Sequence, residues 1–491
     1  MANRASQSEL TLAHGTARKT KVAYYFDPNI ATFHYASNHP MKPFRIRMTD
    51  ALVKNYGLYK KMNVFRPTAA TFDQMTEFHT DDYLNFLKRV SPEIYSTGVE
   101  RLADRKFNFG DDCPPFDGIY DFSSLSAGGS IQGAERLASG ECEIAVNWGG
   151  GLHHAKKTEA SGFCYVNDIV LGILELLKSY ERVLYVDVDV HHGDGVEEAF
   201  YTTDRVMTVS FHLFGHGFFP GTGHVLDVGV GKGKYYAVNV PLQYGIDDDT
   251  YHQVFRPIMK RVMEWYRPSA VVLQLGADSL AGDRLGMFNL SMRGHGKCVE
   301  YMKSFGVPML MVGGGGYTIR NVARTWTYET ARAVGVDLPM HLPYNEFLEY
   351  YGPEYLLDVP MSNIPNHNTQ DHLEKLVAAI TEHLRNLPFA PSVQTQEVPI
   401  DEPVEADEDL EDPDERLPQS YRDGHIQRDD EYSDSEDEGD RRDEHNYGPS
   451  SSNGAASRGR SSRPATSGRS SRAALGTNGA AHVDADDPME G

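Results

Sequence analysis

The sequence contains no apolar run approaching about 18 residues, so none of it reads as a membrane-spanning helix. Its first 20 residues lack the apolar stretch of a secretory signal, and no export by that route is expected. Cysteine is scarce: Cys113, Cys142, Cys164 and Cys298 show no CxxC spacing in 491 residues. That usage excludes a disulfide framework and predicts reduced thiols in an intracellular protein. Positive charge is also in deficit, with 47 Lys and Arg against 70 Asp and Glu, a net of −23. Neither part of the chain is net basic, which argues against direct binding of nucleic acid. Nucleotide-binding signatures are absent too. The GGGG run before Tyr317 is not GxGxxG, and GVGKGKYY (229–236) lacks the order of a phosphate-binding loop.

The charge is uneven. From residue 401 onward there are 25 acids, 10 Arg and no Lys, a net of −15, which leaves −8 on the first 400 residues. That tail has almost no aliphatic residues and is expected to be disordered. It divides into an acidic stretch (401–445) and a Ser/Gly/Ala/Arg-rich stretch (446–491). Ser433 and Ser435 lie in DEYSDSEDEGD, a context suited to an acid-directed kinase, although a plain solvating linker needs no such switch.

Residues 21–390 read as one compact unit with no internal repeat. Strand candidates are VAYYF (22–26), EIAVNW (143–148), RVLYVDVDV (182–190), VMTVSFH (206–212), YYAVNVPL (235–242), AVVLQLG (270–276) and PMLMV (308–312). Helical periodicity covers 75–90, 168–180 and 250–266. Near-continuous apolar strands alternating with helices predict an α/β fold with a parallel sheet covered on both faces.

Ligands of such sheets bind at the carboxyl ends of the strands, and the residues found there are unusual. EIAVNW leads to His153 and His154. RVLYVDVDV carries Asp187 and Asp189 and leads to His191, His192 and Asp194. AVVLQLGA leads to Asp278, and PMLMV leads through four glycines to Tyr317. Asp187 and Asp189 stand two apart, on one face of an apolar strand, where bare carboxylates would cost several kcal/mol each. A divalent metal held by Asp189, His191 and Asp278 would compensate. Three protein ligands would leave a position open for water, as catalytic metal sites do. Zinc and ferrous iron both suit two carboxylates and one imidazole. His153 and His154 with the spare acids Asp187 and Asp194 could form two His–carboxylate dyads for general acid–base work. Tyr317, on a flexible glycine loop, could donate to a developing oxyanion.

Six segments carry a family resemblance: HPMKPFRIRM (39–48), GGGLHHAKKTEASGFCYVNDI (149–169), YVDVDVHHGDGVEEAFY (185–201), FFPGTG (218–223), GADSLAGDRLGMFNLS (276–291) and GGGGYTIRNVARTWTYET (313–330). In order and in register, from about residue 21 to about residue 395, the chain resembles the class I zinc-dependent histone deacetylases. The likeness is greatest to the corepressor-bound, fungal Hos-type branch. It implies the arginase/deacetylase fold, a single domain (21–395) with an eight-stranded parallel sheet, between a flexible N-terminus (1–20) and a disordered tail (396–491).

The resemblance also implies roles. Asp189, His191 and Asp278 match the zinc ligands. His154 matches the general base with Asp194 as partner, His153 the electrostatic histidine with Asp187, and Tyr317 the oxyanion donor. Gly162, Phe163 and Phe219 match the channel for the acetyl-lysine stem, with Leu152 and Leu285 close by, and Asp112 matches the rim acid. Two potassium sites are implied. Asp187, Ser210 and carbonyls of Asp189, His191 and Phe211 match the inner one; carbonyls of Phe200, Thr203, Val206 and Tyr236 match the outer one. Lys42, Arg284 and Arg320, with His34 as a further candidate, match the bases that hold an activating inositol phosphate against a corepressor scaffold.

Phe44 stands where many relatives have His, the 211–224 loop departs from FHKYG, and Thr325 replaces a common Cys. The expected activity is hydrolysis of acetyl-lysine in histone tails within a corepressor complex. The expected compartment is the nucleus, with the cytoplasm left open. Two rival readings are an acetylpolyamine amidohydrolase and a weakly active scaffold subunit of a chromatin complex.

Overall fold

A computed structural model describes residues 21–96, 106–215 and 217–387. The expected flexible N-terminus (1–20) and the tail (396–491), with its acidic stretch and Ser433 and Ser435, lie outside the described residues. The chain divides into units Met1–Ser435 and Glu436–Gly491, of which the second is wholly outside them.

Eight strands form one sheet: β1 (Val22–Tyr25), β2 (Asn63–Phe65), β3 (Ile144–Asn147), β4 (Val183–Asp187), β5 (Val206–Leu213), β6 (Ala237–Leu242), β7 (Ala270–Gln274) and β8 (Met309–Val312). Every pairing is parallel, in the order β2-β1-β3-β8-β7-β4-β5-β6. The period of two sorts side chains onto opposite faces. Leu184 and Val186, Val271 and Leu273, and Met309 and Met311 join one apolar cluster. Val183 and Tyr185, Ala270 and Val272, and Leu310 and Val312 join the other. Both faces are thus covered by helices, which is why these strands read as unbroken apolar runs.

The seven strand segments expected from the sequence are all present. The eighth, β2, is three residues long with Asn63 and Val64 exposed, so its sequence carries no burial signal. Two expectations need correction. β4 ends at Asp187, so Asp189 lies beyond the strand rather than on its face. The helix expected over 75–90 is divided into Phe72–Met75 and Asp81–Arg89. Thr71 and Gln74 close a capping box on the first, and Thr80 is extended before the second, whose first turn carries Asp81 and Asp82. The other two helices run Asp168–Leu177 and Asp248–Trp265, capped by Asn167 and Asp247. No described helix is long and apolar enough to cross a membrane. All four cysteines are buried and no disulfide joins them.

The candidate active site

The four strands whose ends carry the chemistry, β3, β8, β7 and β4, are consecutive in the centre of the sheet. Parallel pairing puts their carboxyl ends on one edge. The residues expected to act together therefore meet although they are up to 164 positions apart, from His153 to Tyr317.

Asp189, His191 and Asp278 are buried, and one ligand atom from each lies within 4.8 Å of the others. Their outer lone pairs are occupied by protein groups. Asp189 Oδ2 accepts from Gln274 Nε2 at 2.9 Å and from Gly315 N at 2.8 Å. Asp278 Oδ1 accepts from Val190 N at 2.9 Å. Asp189 Oδ1 and Asp278 Oδ2 then face His191 Nδ1, each at 3.1 Å. Burial, and then the Asp189 charge, push Asp278 up to about 7. Two buried carboxylates converging on one imidazole nitrogen form a donor set that a divalent cation fits. The glycine loop allows this closeness: a Cβ on Gly315 would overlap Asp278 Oδ2.

Two dyads stand beside this group. His153 Nδ1 meets Asp187 Oδ2 at 2.8 Å, and His154 Nδ1 meets Asp194 Oδ1 at 2.7 Å. All four side chains are buried, and the imidazole centroids are 3.9 Å apart. Burial depresses both histidines, but Asp187 and Asp189 outweigh it at His153, which rises to about 9. At His154 burial prevails, helped by the neighbouring His153 charge, and its value falls to about 3. The surroundings thus favour a proton on His153 and a neutral His154.

The residues expected to line a channel lie around these groups. The Phe219 ring meets His154 edge-on at 4.8 Å, and the Phe163 ring meets Tyr317 edge-on at 5.7 Å. Gly162 has φ +48°, and a Cβ there would overlap the His154 ring. Phe163 follows with φ +66°, a strained value for a phenylalanine, and its carbonyl accepts from Tyr35 OH at 2.9 Å. Leu152 and Leu285 are buried nearby in sequence to His153 and Asp283. Asp112 is half-buried, and its carbonyl is held by His39 Nε2 at 3.1 Å. His39 accepts from Met41 N, and burial lowers it to about 4.

Ser210 is the cross-strand partner of Asp187, and its hydroxyl is 2.9 Å from His212 Nδ1. Phe211 and Val206 are also on β5, while Phe200, Thr203 and Tyr236 lie at its amino-terminal side. Lys42, Arg284, Arg320 and His34 are remote from the dyads in exposure: Arg284, Arg320 and His34 are exposed and Lys42 half-buried. Burial, and then the Arg284 charge, lower Lys42. Phe44, at the position where His is common, packs edge-on against Phe347 at 5.1 Å.

Sequence reading missed the groups that hold the site together. Asp168 accepts from Gly151 N, Leu152 N and Ser130 Oγ, which fixes the loop bearing both histidines. Asp283 accepts from Tyr317 N at 2.7 Å and Thr318 N at 3.0 Å, and also from Leu285 N and Gly286 N. Buried Arg45 donates to the carbonyls of Gly314 and Gly316. The loop before Tyr317 is therefore pinned, and its glycines serve close packing rather than the flexibility expected of them. The only available signal was that Asp168, Asp283 and Arg45 fall within the six family-like segments.

The family model described as "Histone deacetylase domain" matches residues 39–333. "Histone deacetylase HDAC1" of Drosophila melanogaster is 59% identical over 433 residues, covering 87% of this chain and 82% of the relative. "Histone deacetylase 1" of Homo sapiens is 56% identical over 430 residues, covering 87% and 89%. "Type-1 histone deacetylase 1" of Dictyostelium discoideum is 57% identical over 423 residues, covering 86% and 85%.

Proposed function

The chain belongs to the class I histone deacetylase family, and from that premise we propose that it hydrolyses the acetyl amide of N6-acetyl-lysine in histone tails. The observation that carries the reading is the buried Asp189–His191–Asp278 group beside two His–Asp dyads on one sheet edge. A zinc ion held by Asp189, His191 and Asp278, or ferrous iron on the same donors, would supply a Lewis acid that polarises the acetyl carbonyl and acidifies water.

The chain's own groups do the rest. Phe163 and Phe219 flank the four-methylene stem, with Gly162, Leu152 and Leu285 completing the walls and Asp112 holding the substrate backbone at the rim. With Nδ1–H donating a hydrogen bond to ionised Asp194, neutral His154 offers Nε2 as a base for the attacking water. Tyr317 OH donates to the oxyanion of the tetrahedral intermediate. Protonated histidine then gives a proton to the leaving lysine amine, with His153 and Asp187 stabilising the charge. The two rings offer apolar area to the four-methylene stem.

The remaining expectations rest on position. Asp187, Ser210 and carbonyls of Asp189, His191 and Phe211 would hold an inner potassium ion. Carbonyls of Phe200, Thr203, Val206 and Tyr236 would hold an outer one. Lys42, Arg284, Arg320 and His34 would take an inositol phosphate against a corepressor scaffold, in the nucleus. Lys42 is lowered by burial and then by the Arg284 charge, a repulsion that an anion there would relieve. The test is turnover of an acetylated histone-tail peptide against acetylspermidine, with and without inositol phosphate. Faster peptide turnover is expected; a preference for acetylspermidine overturns the substrate assignment.

A further inference from the structure

One buried cation beside the dyads has no part in the mechanism so far. Lys156 follows the two histidines by two residues and is only 5% exposed. Lysine is almost never buried unless paired, and this one has two acidic neighbours. Its Nζ donates to Asp194 Oδ2 at 2.6 Å and lies 3.3 Å from Glu198 Oε2. Asp194 and Glu198 are one turn apart in the helix Asp194–Ala199. The other oxygen of Asp194 is the one that meets His154 Nδ1 at 2.7 Å. Lys156, Asp194 and His154 therefore form a line that ends at the imidazole beside the metal-ligand group.

We propose that Lys156 is a positioning residue for hydrolysis, acting through Asp194 to fix the orientation and tautomer of His154. The inference rests on His154 being the base of the proposed reaction. A carboxylate bound at one oxygen alone can rotate about its Cβ–Cγ bond. Bound at both, it presents Oδ1 to His154 Nδ1 in one plane, which keeps the proton on Nδ1 and the Nε2 lone pair toward the substrate. The ammonium also keeps Asp194 ionised. Burial pushes that carboxyl up, but Lys156 and then His154 hold it well below the usual range. An Asp194 that took a proton would lose the acceptor His154 needs. No bond to Lys156 forms or breaks in the reaction. The simpler alternative is that Lys156 only staples the histidine loop to the helix.

The experiment measures kcat, KM and bound zinc for the full chain and for K156Q, E198Q, D194N and K156Q/D194N, on an acetylated histone-tail peptide. An inactive, folded, zinc-loaded wild type would sink the functional reading itself; the variants then test the positioning role only where the wild type turns over. K156Q is expected to lower kcat about 10- to 100-fold with KM and zinc content within about twofold. In the D194N background the same change is expected to cost about twofold or less, because its route to His154 is already cut. E198Q keeps the contact with Asp194 and is expected to retain kcat within about twofold. Equal loss from K156Q in both backgrounds, or unchanged kcat in K156Q, overturns the proposal. So does a loss in E198Q matching that in K156Q. K156M, of closer length, replaces K156Q if that variant does not fold; if neither folds, the staple account stands and the proposal falls.

Discussion

His153 and His154 are consecutive in the chain, equally buried, and each gives Nδ1 to an aspartate at 2.8 and 2.7 Å. They differ in what lies behind the aspartate. Asp187 Oδ2, the atom that meets His153, also accepts from Tyr185 OH at 2.6 Å, and Asp189 Oδ2 lies 3.8 Å from the far nitrogen of His153. Asp194 has an ammonium at its second oxygen instead. Burial opposes charge on both imidazoles, yet the Asp187 and Asp189 charges hold His153 up at about 9, while burial and the His153 charge take His154 down to about 3. Two dyads of the same geometry thus differ through the charges around them: Asp187 and Asp189 raise His153, while burial and the neighbouring His153 charge lower His154.

The largest expected break of this comparison is His154→Ala against His153→Ala. His154→Ala should lower kcat about 10²- to 10⁴-fold on an acetyl-lysine peptide, with the fold intact by circular dichroism, and His153→Ala should cost less. Equal losses would erase the division of labour. Tyr317→Phe removes the proposed oxyanion donor and should cost about 10²- to 10³-fold in kcat, read by the same assay.

A subtler separation is in stability against pH, measured as Tm on the chelated protein. His153 has a raised folded value, so its contribution is full below about 6.5 and fades as pH rises through about 9. His154 has a lowered folded value, so its contribution is full above about 6.5 and fades as pH falls toward about 3. Each slope is about 1.4 kcal/mol per pH unit where only one state binds the proton. His153→Ala should flatten the alkaline limb and His154→Ala the acid limb; the reverse pattern would invert the assignment. The smallest effect expected is that of Tyr185→Phe. It removes one neutral donor from Asp187 at about 1 kcal/mol, visible as a Tm drop of a few degrees with kcat changed only severalfold.

What the sequence could and could not convey follows the same line. Strand ends were legible because β-branched apolar runs mark their own boundaries; Asp187 closes β4, and His153, His154, Asp194 and Tyr317 stand past the strand ends. The six motifs then carried the family. β2 was not legible, since an exposed three-residue edge strand buries nothing. Asp168, Asp283, Arg45 and Lys156 were not singled out because their meaning lies in partners elsewhere in the chain. Asp168 reads as an ordinary acid in a helix's first turn until Gly151 and Leu152 are seen to donate to it. Arg45 reads as a surface base until its guanidinium is found under the glycine loop, 4.9 Å over the Trp326 ring.

The central claim is that the buried Asp189–His191–Asp278 group holds the ion on which the dyads act. It is tested most directly by stripping the full chain with a chelator, then measuring acetate release from an acetylated histone-tail peptide before and after adding back one equivalent of zinc. Activity should vanish on stripping and return with zinc, and should not return in Asp278→Asn. Undiminished turnover in the verified metal-free protein would contradict the account.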